Sequence, residues 1–359
     1  METTDYELAC ISALNRRFGQ SPLTGLALLE KYGSASAVPG IDPSGEAAEL
    51  EWLAARGHRL LSCLDEDYPP LLKEIPDHPV GLYYSGISSA REIFGYERAV
   101  AIVGTRDITP YGAQWCRKIV QALARCGTRP VIISGFAIGT DITAQKEALD
   151  CGLRTIGVLP CGPESIYPSR HQAIAGRLVS TEGCALVSDY PPGTQPYAGN
   201  FIRRNRIIAG LADAVILIES KRRGGGLITM DFAVDYARAT YALPGRAEDP
   251  CSEGCNILIR RNKAELISDT ESLIESLGLE QVIRTGATDL LREAVARYGR
   301  GSVPERLFSC VKRNRGITAD DICLELNLPY STVAENLATL TGDGFVCCDI
   351  LQRYFVSKI

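Results

Sequence analysis

Apolar residues recur every three or four positions at Leu8, Ile11, Leu14 and Phe18, and again at Leu23, Leu26, Leu29 and Tyr32. That spacing predicts two short amphipathic helices. Gly33 stops the second, and Pro39-Gly40 turns the chain toward a third helix over 46–61. A segment rich in turn residues follows, from Asp67-Tyr68-Pro69-Pro70 through Pro76 and Pro79 to Gly81-Leu82-Tyr83-Tyr84. The pattern then changes. Short aliphatic and β-branched runs at 100–103, 131–134, 155–159, 185–188, 214–219 and 240–243 alternate with helical stretches near 110–126, 141–151, 170–180, 201–211 and 227–239. Strands this short and apolar, separated by helices, predict a parallel sheet covered on both faces.

Residues 263–300 become helical and charged, with a linker expected near 286–301. Beyond it lie a helix over 303–313, a second capped by Thr318, and a third opening at Pro329-Tyr330, then two strand-like runs at 345–350 and 354–356. Helix-turn-helix followed by a hairpin is a winged-helix pattern. The expected domains are a small helical one at 1–62, an α/β one at 63–285 and a winged helix at 300–359.

Composition narrows the function. An apolar content of 45% with 23% charged residues places the chain among ordinary globular proteins. The net charge of −5 excludes a generally basic coat, so any binding of nucleic acid must come from a local patch. The polar, acidic start lacks a signal pattern, and no apolar run approaches a membrane span, which predicts a cytoplasmic protein. Thirteen scattered cysteines then read as reduced thiols. Cys251 and Cys255, and Cys347-Cys348, lack paired metal-ligand spacing, so no metal is expected. Three histidines leave little material for acid–base chemistry.

In an open parallel sheet, ligands bind beyond the carboxyl ends of the strands. The loops expected there are marked: Gly104-Thr105-Arg106, then Gly135 to Asp141, then Pro160-Cys161-Gly162-Pro163, then Asp189 to Gly193, and Ser220-Lys221-Arg222-Arg223-Gly224-Gly225-Gly226. Glycines let backbone amides approach phosphate oxygens, and helix N-termini add further donors. Beside these loops runs Asn200-Phe201-Ile202-Arg203-Arg204-Asn205-Arg206, opening a helix. Arginines at a helix N-terminus oppose its dipole, which points to an anion as their partner. Arg106 could grip a phosphate or pair with Asp141 or Asp189. Phe201 could stack on a base or staple its helix. Arg203 and Arg206 share a face while Arg204 points elsewhere, and a structural role for one or more of them stays open. Asp141 and Asp189 fit a role in capping helices and orienting the arginines. No Gly-Lys-Ser/Thr follows the glycine run, and no GxGxxG follows the first strand, so ATP and NAD chemistry lose their usual support and no cofactor is expected.

In order along the chain, these motifs resemble the DNA-processing protein A family (DprA, also called Smf). The resemblance rests on Asp67 to Leu72, Leu82-Tyr83-Tyr84-Ser85-Gly86, Ile102 to Arg106, Thr109-Pro110-Tyr111-Gly112, Ser134 to Asp141, Tyr167-Pro168, Phe201 to Gly210, Gly226 to Thr229, Pro244-Gly245 and Gly254-Cys255-Asn256. It implies an extended Rossmann-like sheet flanked by an N-terminal helical module (of the SAM or helix-hairpin-helix kind) and a C-terminal winged helix. It also implies a non-enzymatic protein that binds single-stranded DNA, protects it during natural transformation and helps load RecA, acting as a homodimer through the Rossmann domain. Carried over by residue, the DNA-binding set would be Arg106, Ser134, Gly135, Phe201, Arg204, Asn205 and Arg206, with Gly225 and Gly226 nearby; Arg203 is an additional cation. The chain departs from the family pattern at Gln145, Asp189, Gly224 and Arg260–Lys263, none of which removes the cationic pocket.

Two other classes remain. A Rossmann-type nucleotide-phosphate hydrolase or N-glycosidase would be favoured by a catalytic glutamate near the glycines, and Glu219 is the only candidate. A winged-helix regulator of duplex DNA would need basic residues on its third helix, which carries Glu335 and no Lys or Arg.

Overall fold

A computed structural model describes residues 4–279, 294–314, 316–349 and 352–356. They form two compact units, Met1–Gln281 and Val282–Ile359.

The first unit begins with helices α1 (Asp5–Phe18), α2 (Pro22–Tyr32) and α3 (Glu46–Ala54). Thr4 caps α1 by accepting the Glu7 amide, and Gly33, at φ 78°, ends α2 in the left-handed conformation that favours glycine. The helix expected to reach residue 61 stops at Ala54. Gly57, at φ 80°, turns the chain, and His58–Ser62 becomes strand β1. After the single helical turn α4 (Pro70–Lys73), the stretch expected as turns forms a second strand, β2 (Gly81–Ser85), which is buried along its whole length. Pro76 and Pro79 stand just before it and conceal its strand character in the sequence.

A short helix α5 (Ala90–Phe94) leads into the alternating region. Its strands are β3 (Ala99–Val103), β4 (Val131–Ser134), β5 (Thr155–Val158), β6 (Ala185–Ser188), β7 (Ala214–Leu217), β8 (Ala239–Ala242) and β9 (Glu265–Leu266). The helices between and after them are α6 (Pro110–Ala124), α7 (Thr140–Asp150), α8 (Gln172–Val179), α9 (Ala198–Gly210), α10 (Gly225–Asp235), α11 (Glu253–Arg260) and α12 (Thr270–Ser276). Among the described residues the sheet has nine strands in the order β1-β2-β6-β5-β4-β3-β7-β8-β9. It is parallel from β6 to β9, whereas β2 joins β6 antiparallel and β1 joins β2 antiparallel.

Both faces are covered, as two-residue periodicity requires. Ala99, Ala101 and Val103 of β3 enter one apolar core, while Val100 and Ile102 enter the other. Ile11 and Leu14 of α1 share the first core with Leu82 and Tyr83 of β2, and the Ser12 and Tyr83 hydroxyls meet at 2.8 Å. The N-terminal helices therefore fold onto the sheet within one compact unit. The division drawn at residue 62 falls at the end of a sheet strand.

The second unit contains helices Val303–Arg313, Ala319–Leu326 and Tyr330–Gly342, and a three-stranded sheet of Ile317–Thr318, Arg353–Val356 and Val346–Cys348. Thr318 and Asp321 form a capping box, and Leu307, Phe308, Ile322, Val333 and Leu337 build the core. This is a winged helix. Part of the expected linker, 286–293, lies outside the described residues.

Candidate nucleic-acid interface

Strand β3 pairs with β4 on one side and β7 on the other. Chain connections run in opposite directions from that point, so the loops after β3 and β7 diverge and leave a crevice. Backbone bonds fix its edges. The Thr105 amide donates to the Glu219 carbonyl at 2.9 Å, and the Thr140 amide donates to the Thr105 carbonyl at 3.1 Å. Gly139, at φ 84°, lies so close to the Thr105 carbonyl oxygen that a side chain there would strike it. Helix α10 starts against the same loop: a Cβ on Gly226 would lie 3.3 Å from the Gly104 Cα, and one on Gly225 would meet nothing. The α10 N-terminus has no side-chain cap, and its first residues, Gly225 and Gly226, line the crevice.

The resulting cleft has a volume of about 550 Å³. Val103, Gly104 and Ile208 form part of its floor; Phe201, Arg204 and Asn205 of α9 line one side, and Lys221, Arg223 and Gly224 to Gly226 the other. Arg106, Lys221 and Arg223 are exposed, and among the described residues none of them is in an ion pair. Arg222 beside them pairs with Glu253 at 3.5 Å. Asp107 and Asp141 also line the cleft and oppose part of the positive charge.

The arginine run of α9 separates by burial. Arg203 donates to the Gly19 carbonyl at 2.6 Å and ties α9 to the end of α1. Arg206 is buried against Asp189, with Nη2 2.5 Å from the carboxylate, and also holds the Asp77 carbonyl. Arg204 is buried at the base of the cleft, where it donates to the carbonyls of Gly135 and Val158 and faces Asp141. Burial draws the Arg204 guanidinium down to about 10, and Asp141 opposes that shift. Burial also pushes the Asp141 carboxyl up to about 6, against the pull of Arg204, the Ala137 amide and Ser134. Arg106 turns outward, its guanidinium carbon 4.5 Å from the centre of the Phe201 ring.

Of the residues singled out in the sequence, Arg106, Phe201, Arg204, Asn205, Gly225 and Gly226 come together around the cleft. Ser134 is buried and donates to the Ile102 carbonyl at 2.6 Å, and Gly135 lies beneath Arg204 and Asp141. Neither lines the cleft, and nor do Arg203 and Arg206. The loops at 160–163 and 189–193 also stay off its wall. Tyr167, which does line it, was visible in the sequence only as half of a Tyr-Pro pair.

Glu219 is fully buried and accepts from the Thr109 amide at 2.9 Å and the Thr109 hydroxyl at 2.5 Å. Its carboxylate caps the start of α6 and does not reach the cleft, so the glutamate that the hydrolase alternative needs is not at the site. The three histidines are held below their ordinary range chiefly by burial, and none lines the cleft. Among the described residues no group of three His, Cys, Asp or Glu side chains could hold a metal ion, and no helix is long and apolar enough to cross a membrane.

Comparison with known proteins bears on this cleft directly. The family model described as DNA recombination-mediator protein A matches residues 59–278, a span holding every residue of the cleft. The chain belongs to this family. Within it, the chain is 42% identical over 237 residues to Protein Smf of Synechocystis sp., an overlap covering 66% of this chain and 58% of that protein. The fold is similar to the X-ray structure of DNA processing protein A from Streptococcus pneumoniae, with a TM-score of 0.62, 30% identity, and coverage of 77% of this chain and 98% of that one. It is also similar to the Helicobacter pylori DNA processing protein A, a structure described for its single-stranded DNA binding mode. Here the TM-score is 0.54, with 31% identity and coverage of 61% and 95%. The chain thus spans less than two thirds of the length of the Synechocystis relative.

Proposed function

We propose that this protein binds single-stranded DNA in the cleft between β3 and β7 and acts as a non-enzymatic recombination mediator. In this reading it protects the strand taken up in natural transformation and helps load a RecA-type recombinase on it. The observation that carries the proposal is the pairing of outward cations (Arg106, Lys221 and Arg223) with an uncapped glycine-rich helix start in a cleft lined by aromatic rings. Cations and amides hold phosphates without reading sequence, and rings accept any base. Similarity to the Helicobacter pylori protein, whose single-stranded DNA binding has been studied structurally, supports the choice of ligand. Homodimerisation through the sheet-containing unit and contact with the recombinase belong to the same proposal. The winged helix fits a partner-binding role better than groove reading, because its third helix presents no Lys or Arg.

Fluorescence anisotropy with oligothymidylate and a duplex of equal length tests it. Three cation–phosphate contacts predict a slope of log affinity on log salt of about −2 for single strands. Arg106→Ala should reduce the slope by roughly 0.7 while weakening all sequences alike. Salt-independent binding, or preference for the duplex, would overturn the proposal.

Asp141 adds a pH dependence. With its carboxyl raised to about 6, lowering the pH from neutral removes a negative charge that faces the cleft. Affinity for the oligonucleotide should therefore rise as pH falls through 6, and Asp141→Asn should bind tightly at neutral pH and lose that rise. The same raised value gives a stability contribution fully present below the unfolded value of 3.8 and lost as pH climbs through about 6. Equal pH profiles for the variant and the parent protein would refute the assignment.

A further inference from the structure

We infer that Glu219 is a positioning residue for Arg106: it clasps the loop that carries Arg106 to the end of β7, and so raises affinity without touching the strand. The inference rests on the single-strand reading above. Glu219 stands two residues past β7 and is fully buried, and among the described residues its carboxylate is in no ion pair. Asp141 and Asp189, also buried, each face an arginine; Glu219 does not. A buried carboxylate is costly unless donors and dipoles replace its hydration. Here the donors are the Thr109 amide and hydroxyl, at 2.9 and 2.5 Å, and the N-terminus of α6 adds the positive end of its dipole. The Thr109 hydroxyl in turn accepts the Gly112 amide at 3.2 Å. Gly112 is what admits the carboxylate, because a Cβ there would strike Glu219 Oε2.

An apolar side chain of similar size would fill the same space with no charge to compensate, so the carboxylate contributes through what it holds. It holds the loop after β3 from both ends. The Glu219 carbonyl accepts the Thr105 amide at 2.9 Å, while the carboxylate takes Thr109. Arg106 lies between these two anchors. Thr140 steadies the first of them, donating to the Thr105 carbonyl through its amide at 3.1 Å and its hydroxyl at 3.2 Å. The residue is itself anchored on the far side: it leads directly into Ser220, whose carbonyl accepts the Gly254 amide at 2.7 Å. One buried residue thus ties the loop of Arg106 to the loop that presents Lys221 and Arg223 to the same cleft. A guanidinium on a tethered loop loses less freedom on gripping a phosphate than one on a loose loop.

The test uses the full chain and oligothymidylate, read by anisotropy over a range of salt. Glu219→Met keeps the buried volume and removes the acceptors; Glu219→Gln keeps an acceptor for the Thr109 amide. The Met variant should bind roughly fivefold or more weakly, with a salt slope shallower by up to about 0.7, the share of one phosphate contact. The Gln variant should recover most of that loss. Gly112→Ala should weaken binding as Glu219→Met does, and the two together no more than either alone. Added to Arg106→Ala, Glu219→Met should cost less than about twofold further, because the loop then has no cation to place. Equal affinity and slope for Glu219→Met and the parent protein would overturn the inference. So would an equal loss with and without Arg106, the mark of a purely structural role. If circular dichroism shows Glu219→Met unfolded, Gly112→Ala with and without Arg106 decides by the same criteria. A parent protein that does not bind oligothymidylate overturns the single-strand reading itself. A parent that binds, and is weakened by Arg106→Ala but not by Glu219→Met, overturns only the role of Glu219.

Discussion

Arg206→Ala should lower the unfolding free energy by about 3–5 kcal/mol, because it leaves the Asp189 carboxylate buried without its counter-charge. Both partners are almost inaccessible, at 4% and 5% exposure, so solvent cannot take over the lost contact. The Asp77 carbonyl loses its donor as well. Denaturant unfolding measures the effect. The double variant Arg206→Met with Asp189→Leu should recover a large part of the loss, since replacing a whole buried pair by apolar groups is often close to neutral. A cost below about 1 kcal/mol for the single variant would place Arg206 among ordinary surface cations.

The second large effect concerns Arg204. Removing it strips the donors from the Gly135 and Val158 carbonyls and the positive charge from beside Asp141. Arg204→Ala should cost about 3–5 kcal/mol, and Arg204→Lys should recover little, because a single ammonium cannot reproduce the forked guanidinium. Arg106→Ala makes the contrast. Its side chain is exposed, so stability should stay within about 0.5 kcal/mol while affinity for single strands falls. Measured together, the three variants separate arginines buried in the fold from the one proposed to meet single-stranded DNA. Equal stabilities for Arg106→Ala and Arg204→Ala would refute that separation.

The alternating region was legible almost strand by strand, because short aliphatic runs between helices have few other solutions. The strands expected at 131–134 and 185–188 begin and end where β4 and β6 do. Strands β1 and β2 were not legible. Leu60 and Leu61 continue the apolar spacing of α3, and only the left-handed Gly57 separates helix from strand. The prolines before Gly81 likewise suggested a loop. At the site, sequence order brought the loop after β3, the glycine run and Phe201 to one edge. It could not show which arginine of α9 faces inward. Three-residue spacing put Arg203 and Arg206 on a common side, and both do turn from the cleft; their partners, the Gly19 carbonyl and Asp189, come from distant parts of the chain. Tyr167 was legible only as half of a Tyr-Pro pair, because its place on the cleft wall depends on Phe201, 34 residues later (201 − 167), which only the fold brings into contact.

The antiparallel edge of the sheet also bears on how the chain is made. Strands β1 and β2 are synthesised early, yet β2 finds its other neighbour only in β6, where Tyr84 lies opposite Val187, 103 residues later (187 − 84). At ordinary rates of translation, roughly 5–20 residues per second, that partner follows by roughly 5–20 s. During this interval a hairpin of β1 and β2, with Leu82 and Tyr84 on a strand that still has an unpaired edge, must wait on the ribosome. Non-local pairings of this kind are slow to form and open to aggregation while they wait. The N-terminal helices, already made, are in place to cover one face of that hairpin through Ile11 and Leu14. In this sense the three N-terminal helices are placed to shelter the hairpin during synthesis before they become part of the finished core.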